Sequence, residues 1–334
     1  MNNLFLSTLG LTCLIFSSAL LSHEHHAKPD LHASDSSVSS GKIISGGYQY
    51  VPGLLALPKD VDIQHAHGLT RDKEDNIYLA YTSNSINKNT HAIIMFNKEG
   101  KFVRHIGDSS LAEEGPHGLD LDYENGKKYL YLSSYDSSVI KVTTDGKVIW
   151  RSSQAPATKP YKSKSYRPTD TAVHALSQQL FVADGYGSSK IIELNKHTGN
   201  VTGNIWSGEA SGKHFSTPHG VTFDARKNKI VVADRENHRI VYFDKEGGFF
   251  ESVEGQGISR TVNTDVWNNY LLVSNLDGTV AYLNKKNELI DTINLNAVLG
   301  DKGHKHPHDA IFMSNGDVVI GTWNPGFLSY WKRM

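Results

Sequence analysis

Cysteine is almost missing from this chain of 334 residues: Cys13 is the only one. It sits in an apolar N-terminal run, so no disulfide can staple the remainder, and stability has to come from a packed core. No charge of one sign predominates either, and the formal net charge is −1. That balance argues against the basic face of a nucleic-acid binder or of a protein drawn to anionic lipid. After Leu21 no apolar run approaches membrane-spanning length, and no glycine loop of the phosphate-cradling kind occurs. Long stretches with helical periodicity are absent from the C-terminal two-thirds. What is present is glycine (29 residues) and tyrosine (15 residues), a composition suited to many short strands joined by tight turns.

The N-terminus reads as an export signal over residues 1–22. Leu4 to Leu21 is largely apolar, and a polar stretch opens at Ser22-His23. A secreted or periplasmic protein is expected, with an uncleaved membrane anchor as the alternative. Residues 23–46 are rich in His, Ser, Asp and Gly and read as a disordered linker. Its histidines (His23, His25, His26 and His32) are read as part of a solvated tether, since no fold fixes their geometry. The folded domain is expected over residues 47–334, as a monomer.

Aligned against itself, that domain repeats. One unit runs Pro218-His219-Gly220-Val221-Thr222-Phe223-Asp224, then Lys229-Ile230-Val231-Val232-Ala233-Asp234, then Arg239-Ile240-Val241-Tyr242-Phe243-Asp244, then Phe249-Phe250-Glu251-Ser252-Val253. Four short strands with turn residues between them make one propeller blade. Copies open at His67-Gly68-Leu69, Pro116-His117-Gly118, Pro168-Thr169-Asp170 and Pro307-His308-Asp309, and a degenerate fifth copy spans Arg260 to Leu283. Six units of about 40–50 residues predict a six-bladed all-β propeller. The sixth copy runs out one strand short. Tyr48-Gln49-Tyr50-Val51 is the expected donor of its outer strand, closing the ring. The insert from Trp150 to Tyr166 reads as a surface loop.

In a propeller the residue that opens each innermost strand points towards the axis. Those positions read His67, His117, Thr169 or Asp170, His219, Arg260 and His308. His117, His219 and His308 fall on alternate blades, so three imidazoles about 120° apart are expected to converge on one ion with an open outer face. Imidazole suits zinc, iron, copper or nickel, and the residues alone leave that choice open. The plainer alternative is that Pro-His-Gly merely opens a strand. At the same mouth lie Asp184-Gly185-Tyr186 and Asp234-Arg235-Glu236-Asn237. A tyrosine beside a guanidinium and a metal is a candidate base, although Asp-Gly and Asp-Arg turns also serve simply to bond backbone amides.

Two stretches, Phe181-Val182-Ala183-Asp184-Gly185-Tyr186-Gly187-Ser188-Ser189-Lys190-Ile191 and Val232-Ala233-Asp234-Arg235-Glu236-Asn237-His238-Arg239-Ile240, resemble peptidyl-α-hydroxyglycine α-amidating lyase, a propeller of NHL-type repeats. The likeness covers residues 60–334. It implies cleavage of a carbinolamide to an amide and glyoxylate, with zinc on His117, His219 and His308. It further implies a calcium held by the carbonyls of Leu69 and Leu119 and the carboxylate of Asp309, with Tyr186 as catalytic tyrosine and Arg235 beside it. Three positions depart from the pattern. Thr82 stands where a second arginine is expected, His306 replaces a methionine, and the disulfide cysteines are missing, with Gly187 after the tyrosine. Losing a cation weakens carboxylate recognition.

The leading expectation is therefore an exported metal-dependent carbon–nitrogen lyase acting on a peptide or small α-hydroxyamide. A non-catalytic propeller binding a peptide, glycan or protein across its mouth is the alternative. A hydrolase or lactonase on the same scaffold would call for carboxylate and Asn ligands, whereas the openings here are mainly histidine.

Overall fold

The computed structural model describes residues 44–59, 61–83, 91–153, 166–174, 177–300 and 306–334. The expected signal segment, the expected linker up to residue 43 and residues 154–165 of the expected surface loop lie outside the described residues. The last residues assigned to the linker, Ile44–Ser45, instead form a short strand on the outer edge of the final sheet. Among the described residues, no helix is long and apolar enough to cross a membrane.

Six antiparallel sheets form the propeller, and five of them contain four strands in simple chain order. Their innermost strands are Ile63–Arg71, Pro116–Glu124, Asp170–Val173, Pro218–Asp224, Thr261–Trp267 and Pro307–Phe312. Each innermost strand neighbours the next around a ring, and the sixth neighbours the first. The sixth sheet is spliced as expected. Tyr48–Val51 pairs antiparallel with Phe327–Arg333, in register Tyr50 to Trp331.

The middle strands are apolar on both faces because each blade is sandwiched between two others. In Ile77–Ser83, Tyr78 and Ala80 pack with Leu130, Leu132 and Ile140 of the second blade. Ile77, Leu79 and Tyr81 turn the other way, onto Ile311, Val319 and Leu328 of the sixth. The same alternation splits Ile230 and Val232 from Val231, placing them in the clusters on either side of blade four. A strand buried on both faces reads as a continuous hydrophobic run, and period two decides which neighbour each side chain meets.

Register corrects one expected opening. Thr261 pairs with Asn275 and Asn263 with Ser274, while in blade four Pro218 pairs with Asp234 and Gly220 with Ala233. Val262, not Arg260, is thus the counterpart of His219. Arg260 lies on the rim, half exposed, with its guanidinium on Glu236 at 2.9 Å. The degenerate fifth copy has no Pro-His-Gly to anchor an alignment, which is why the sequence misplaced it by two residues.

The closure sets an expectation for stability. Tyr48 is buried, and Tyr50 packs tilted against Trp331, which is fully buried, with ring centroids 5.4 Å apart. Burying one large side chain is worth about 1.5–3 kcal/mol. A chain beginning at Pro52 should therefore unfold at lower urea than one beginning at Ile44, by at least about 2 kcal/mol on the same burial scale. Equal midpoints would show that the splice carries no stability.

Candidate metal centre

The histidines reach the axis through a local irregularity. In blade four the pairing skips from Pro218 to Gly220, so His219 is the extra residue of a β-bulge. The same break falls between Pro116 and Leu119, between Ala66 and Leu69, between Pro307 and Asp309, and between Thr261 and Asn263. A bulge kinks the strand and re-aims one side chain. Here it lifts the opening residue out of the blade and into the channel. Glycine follows because the innermost strands nearly touch. A Cβ on Gly68 would lie 2.3 Å from the Leu119 nitrogen, and one on Gly220 would lie 2.5 Å from the Val262 carbonyl oxygen.

The three expected histidines come together. Ring centroids lie 5.0 Å apart for His117 and His219, 4.6 Å for His117 and His308, and 4.9 Å for His219 and His308. Each is fixed by the backbone of the following blade. His117 Nδ1–H donates to the Thr169 carbonyl at 2.5 Å and His219 Nδ1–H to the Val262 carbonyl at 3.0 Å, while the ring of His308 bonds the backbone at His67. A carbonyl on Nδ1 selects the tautomer whose Nε2 lone pair is available as a ligand. Among the described residues, no hydrogen-bond partner meets the buried His117 Nε2.

Burial also keeps the rings neutral. Desolvation, opposed only in part by the bond to Thr169, pulls the His117 pKa down to about 3. His219 and His308 are held well below the ordinary histidine range, first by burial, then by neighbouring rings: His308 and His117 act on His219, and His117 acts on His308. A buried imidazole with a free lone pair is costly unless something electrophilic meets it. Nitrogen donors in this arrangement fit a transition ion such as zinc.

The structure adds a fourth ring that the alternate-blade argument left aside. Ligand nitrogens of His67, His117 and His308 lie within 4.8 Å of one another. The signal was in the sequence, because His67 opens its blade as the others do. His306, by contrast, turns away, with Nδ1 2.8 Å from the Leu276 carbonyl.

Tyr186 and Arg235 stand beside the cluster as expected. The Tyr186 hydroxyl donates to His219 Nε2 at 3.0 Å, and Arg235 Nη1 lies 3.4 Å from the same hydroxyl. The guanidinium sits 5.4 Å above the tyrosine ring and is held from behind by Glu236 at 2.9 Å. Sequence reasoning missed Tyr135, which stacks on Tyr186 at 6.1 Å and sets its ring edge-on to His117 at 4.7 Å. It also missed Trp323, exposed on the mouth and stacked on His65 at 4.9 Å. Both follow second strands, at the turn position of Arg235, and that shared position was the available signal. Thr82 reaches the cluster as well, with its hydroxyl 3.4 Å from His67 Nε2.

Leu69, Leu119 and Asp309 line one axial cavity of about 350 Å³, together with Asp120, Asp170 and Asp265. Asp309 Oδ2 accepts from the Leu69 amide at 2.7 Å and Oδ1 from the Ala310 amide at 2.8 Å. Burial raises all four carboxylates, Asp120 to about 7 and Asp265 to about 6, with Asp170 and Asp309 well above the usual range. Carboxylate and carbonyl oxygens at one end of the channel and imidazole nitrogens at the other suit a hard and a borderline cation respectively.

The NHL repeat family model matches residues 215–243, within blade four. Peptidyl-glycine alpha-amidating monooxygenase of Mus musculus is 23% identical over 310 residues, covering 81% of this chain and 30% of that protein. A probable peptidyl-alpha-hydroxyglycine alpha-amidating lyase of Caenorhabditis elegans is 29% identical over 183 residues, covering 54% of this chain and 50% of that protein. The chain thus spans less than a third of the mouse relative and half of the nematode one. Among solved structures, virginiamycin B lyase from Staphylococcus aureus matches with a TM-score of 0.55 at 11% identity, over 82% of this chain and 98% of that one. The chain is an NHL-repeat propeller similar to the amidating lyases, at modest identity.

The close approach of the strands gives a direct test. Gly220→Ala puts a methyl against the carbonyl that holds His219. Overpacking of this kind costs about 1–3 kcal/mol. Denaturant unfolding should show a loss of that order, and an unchanged midpoint would refute the contact.

Proposed function

We propose that this chain is an exported, metal-dependent lyase that cleaves the C–N bond of a peptide or small α-hydroxyamide, releasing an amide and glyoxylate or a similar aldehyde acid. The observation that carries the reading is the join between Tyr186 and the histidine cluster: its hydroxyl lies on His219 Nε2, with Arg235 on the other side. The similarity to proteins named as amidating lyases supports the same reaction class, and the apolar run from Leu4 to Leu21 supports export.

Zinc is assigned to His117, His219 and His308, with the Tyr186 hydroxyl giving up the His219 Nε2 lone pair to the ion when it binds, and calcium to Asp309 with the carbonyls of Leu69 and Leu119. When bound, the transition ion supplies Lewis acidity to the carbinol oxygen. The chain's own residues do the rest. One proton must leave the carbinol hydroxyl and one must arrive on the departing nitrogen, so a single group that passes a proton balances the reaction. Tyr186 is that group, because its hydroxyl is the exchangeable one held against the cluster. Arg235 orients the phenol and offers a guanidinium to a substrate carboxylate. Thr82 provides no second guanidinium, so carboxylate recognition leans on Arg235, and substrates with a weaker anionic grip are admitted.

Purified protein supplied with zinc should release glyoxylate from an α-hydroxyglycine compound. Tyr186→Phe should slow turnover by about 10²–10⁴-fold, the usual contribution of a proton-transferring side chain. Absence of turnover in metal-loaded protein would remove the parent reaction. For the axial oxygen site, a calcium chelator should lower the thermal midpoint and added calcium should restore it. A midpoint indifferent to both would exclude calcium there.

A further inference from the structure

We propose that His67 is a fourth imidazole donor to the metal centre, binding through Nδ1. The inference rests on the metal reading above and extends it to a residue that reading leaves idle. His67 is fully buried, and its Nδ1 has no hydrogen-bond partner among the described residues. The ring lies 4.8 Å from His117 and 4.9 Å from His308, centroid to centroid, and their ligand nitrogens fall within 4.8 Å of one another. Two donors on one tetrahedral ion lie about 3.4 Å apart, since each metal–nitrogen bond is about 2.0–2.1 Å long, so the rings have to draw in by at most about 1.5 Å to share it.

The tautomer agrees with this assignment. Nε2 faces the Thr82 hydroxyl, at 3.4 Å. With the proton on Nε2, towards that oxygen, the Nδ1 lone pair is left free for an ion. His117 and His219 are organised the other way round, with Nδ1–H on a backbone carbonyl and Nε2 towards the channel. The side chain standing in place of an arginine is therefore the one that orients the extra histidine. An arginine there would bring a cation against a ring that has to keep its lone pair for a metal.

The bland account is that His67 simply fills space behind His117, edge-on to Tyr135 at 5.6 Å. It leaves the buried lone pair on Nδ1 unexplained, at the cost of an unsatisfied polar group. Four nitrogens have a chemical consequence too. A tetrahedral ion held by four imidazoles has no vacant position, so a substrate oxygen enters by raising the coordination number or by displacing one ring. His67 is the natural one to yield, because the long contact to Thr82 holds it less firmly than a backbone carbonyl holds His117.

The test uses cobalt(II) and zinc binding by the full chain, read by metal stoichiometry, chelator competition and the visible absorption of the cobalt form. Wild type should bind one ion at the cluster. His67→Ala, and His67→Gln as a variant that keeps bulk and polarity, should keep that stoichiometry. Each should weaken affinity at least about tenfold and shift the cobalt bands, as expected when a nitrogen donor is exchanged for water. Either variant, folded and with wild-type affinity and spectrum, would overturn the assignment. If wild type binds no ion, this proposal and the metal reading fall together. If His219→Ala binds as wild type does while the His67 variants do not, the three-histidine set is wrong and His67 stands.

Discussion

Everything at the axis depends on the β-bulge that opens five of the six innermost strands, all four histidine-bearing ones among them. A regular strand would keep its side chains pointing at the neighbouring blades, and the histidines would be lost into apolar packing. The extra residue breaks that alternation at the channel mouth in every blade that carries an axial histidine. The carbonyls of one blade then take the Nδ1 protons of the blade before it. Ring orientation is thus a property of how blades abut, not of any single blade. Glycines after the histidines permit the approach, and a side chain there would push the strands apart.

The channel collects groups that the rest of the protein excludes. Six apolar clusters fill the spaces between blades. The axis they surround holds four buried imidazoles and four carboxylates, of which Asp170 and Asp309 are buried and Asp120 and Asp265 half-buried. Each carboxylate is tied to an amide of the next blade: Asp309 to Leu69, Asp120 to Val173, Asp170 to Val221 and Asp265 to Phe312. These bonds lock neighbouring strands together while leaving lone pairs on the cavity. Burial of so much polarity is expensive unless it is matched by cations, and the two donor types sort themselves along the axis. Stability and chemistry therefore draw on the same residues.

In the proposed reaction, substrate choice would rest on fewer groups than the metal chemistry. Arg235 is fixed between Tyr186 and Glu236. Around it the mouth is aromatic, with Tyr135 stacked on Tyr186 and Trp323 stacked on His65. A flat ring and a single well-held guanidinium suit a ligand with one anionic end and an apolar body. The place of the missing arginine is taken by a small hydroxyl that faces His67. Under the proposed function, one exchange would thereby change both the grip on substrate and the surroundings of the metal.

The repeat period, the alternation of apolar residues and the return of His-Gly at strand starts were enough to predict six blades, the closing strand at Tyr48–Val51 and three converging histidines. These features are local in the chain, and each is stated several times over. Tyr186 and Arg235 were legible for a different reason, namely their place in two distinctive stretches. His67 was legible as an opening residue but not as a member of the cluster, because alternation by blade is a rule of symmetry, whereas membership depends on distances of a few ångströms. The degenerate fifth blade was misread by two residues, since only hydrogen-bond register distinguishes Val262 from Arg260. The turning away of His306, the stacking of Tyr135 and the link from Thr82 to His67 were likewise decided in three dimensions. A sequence records which residues recur and how often, so it determines the architecture. Which ring nitrogen is left without a partner depends on contacts between blades far apart in the chain, and only the closed ring brings those together.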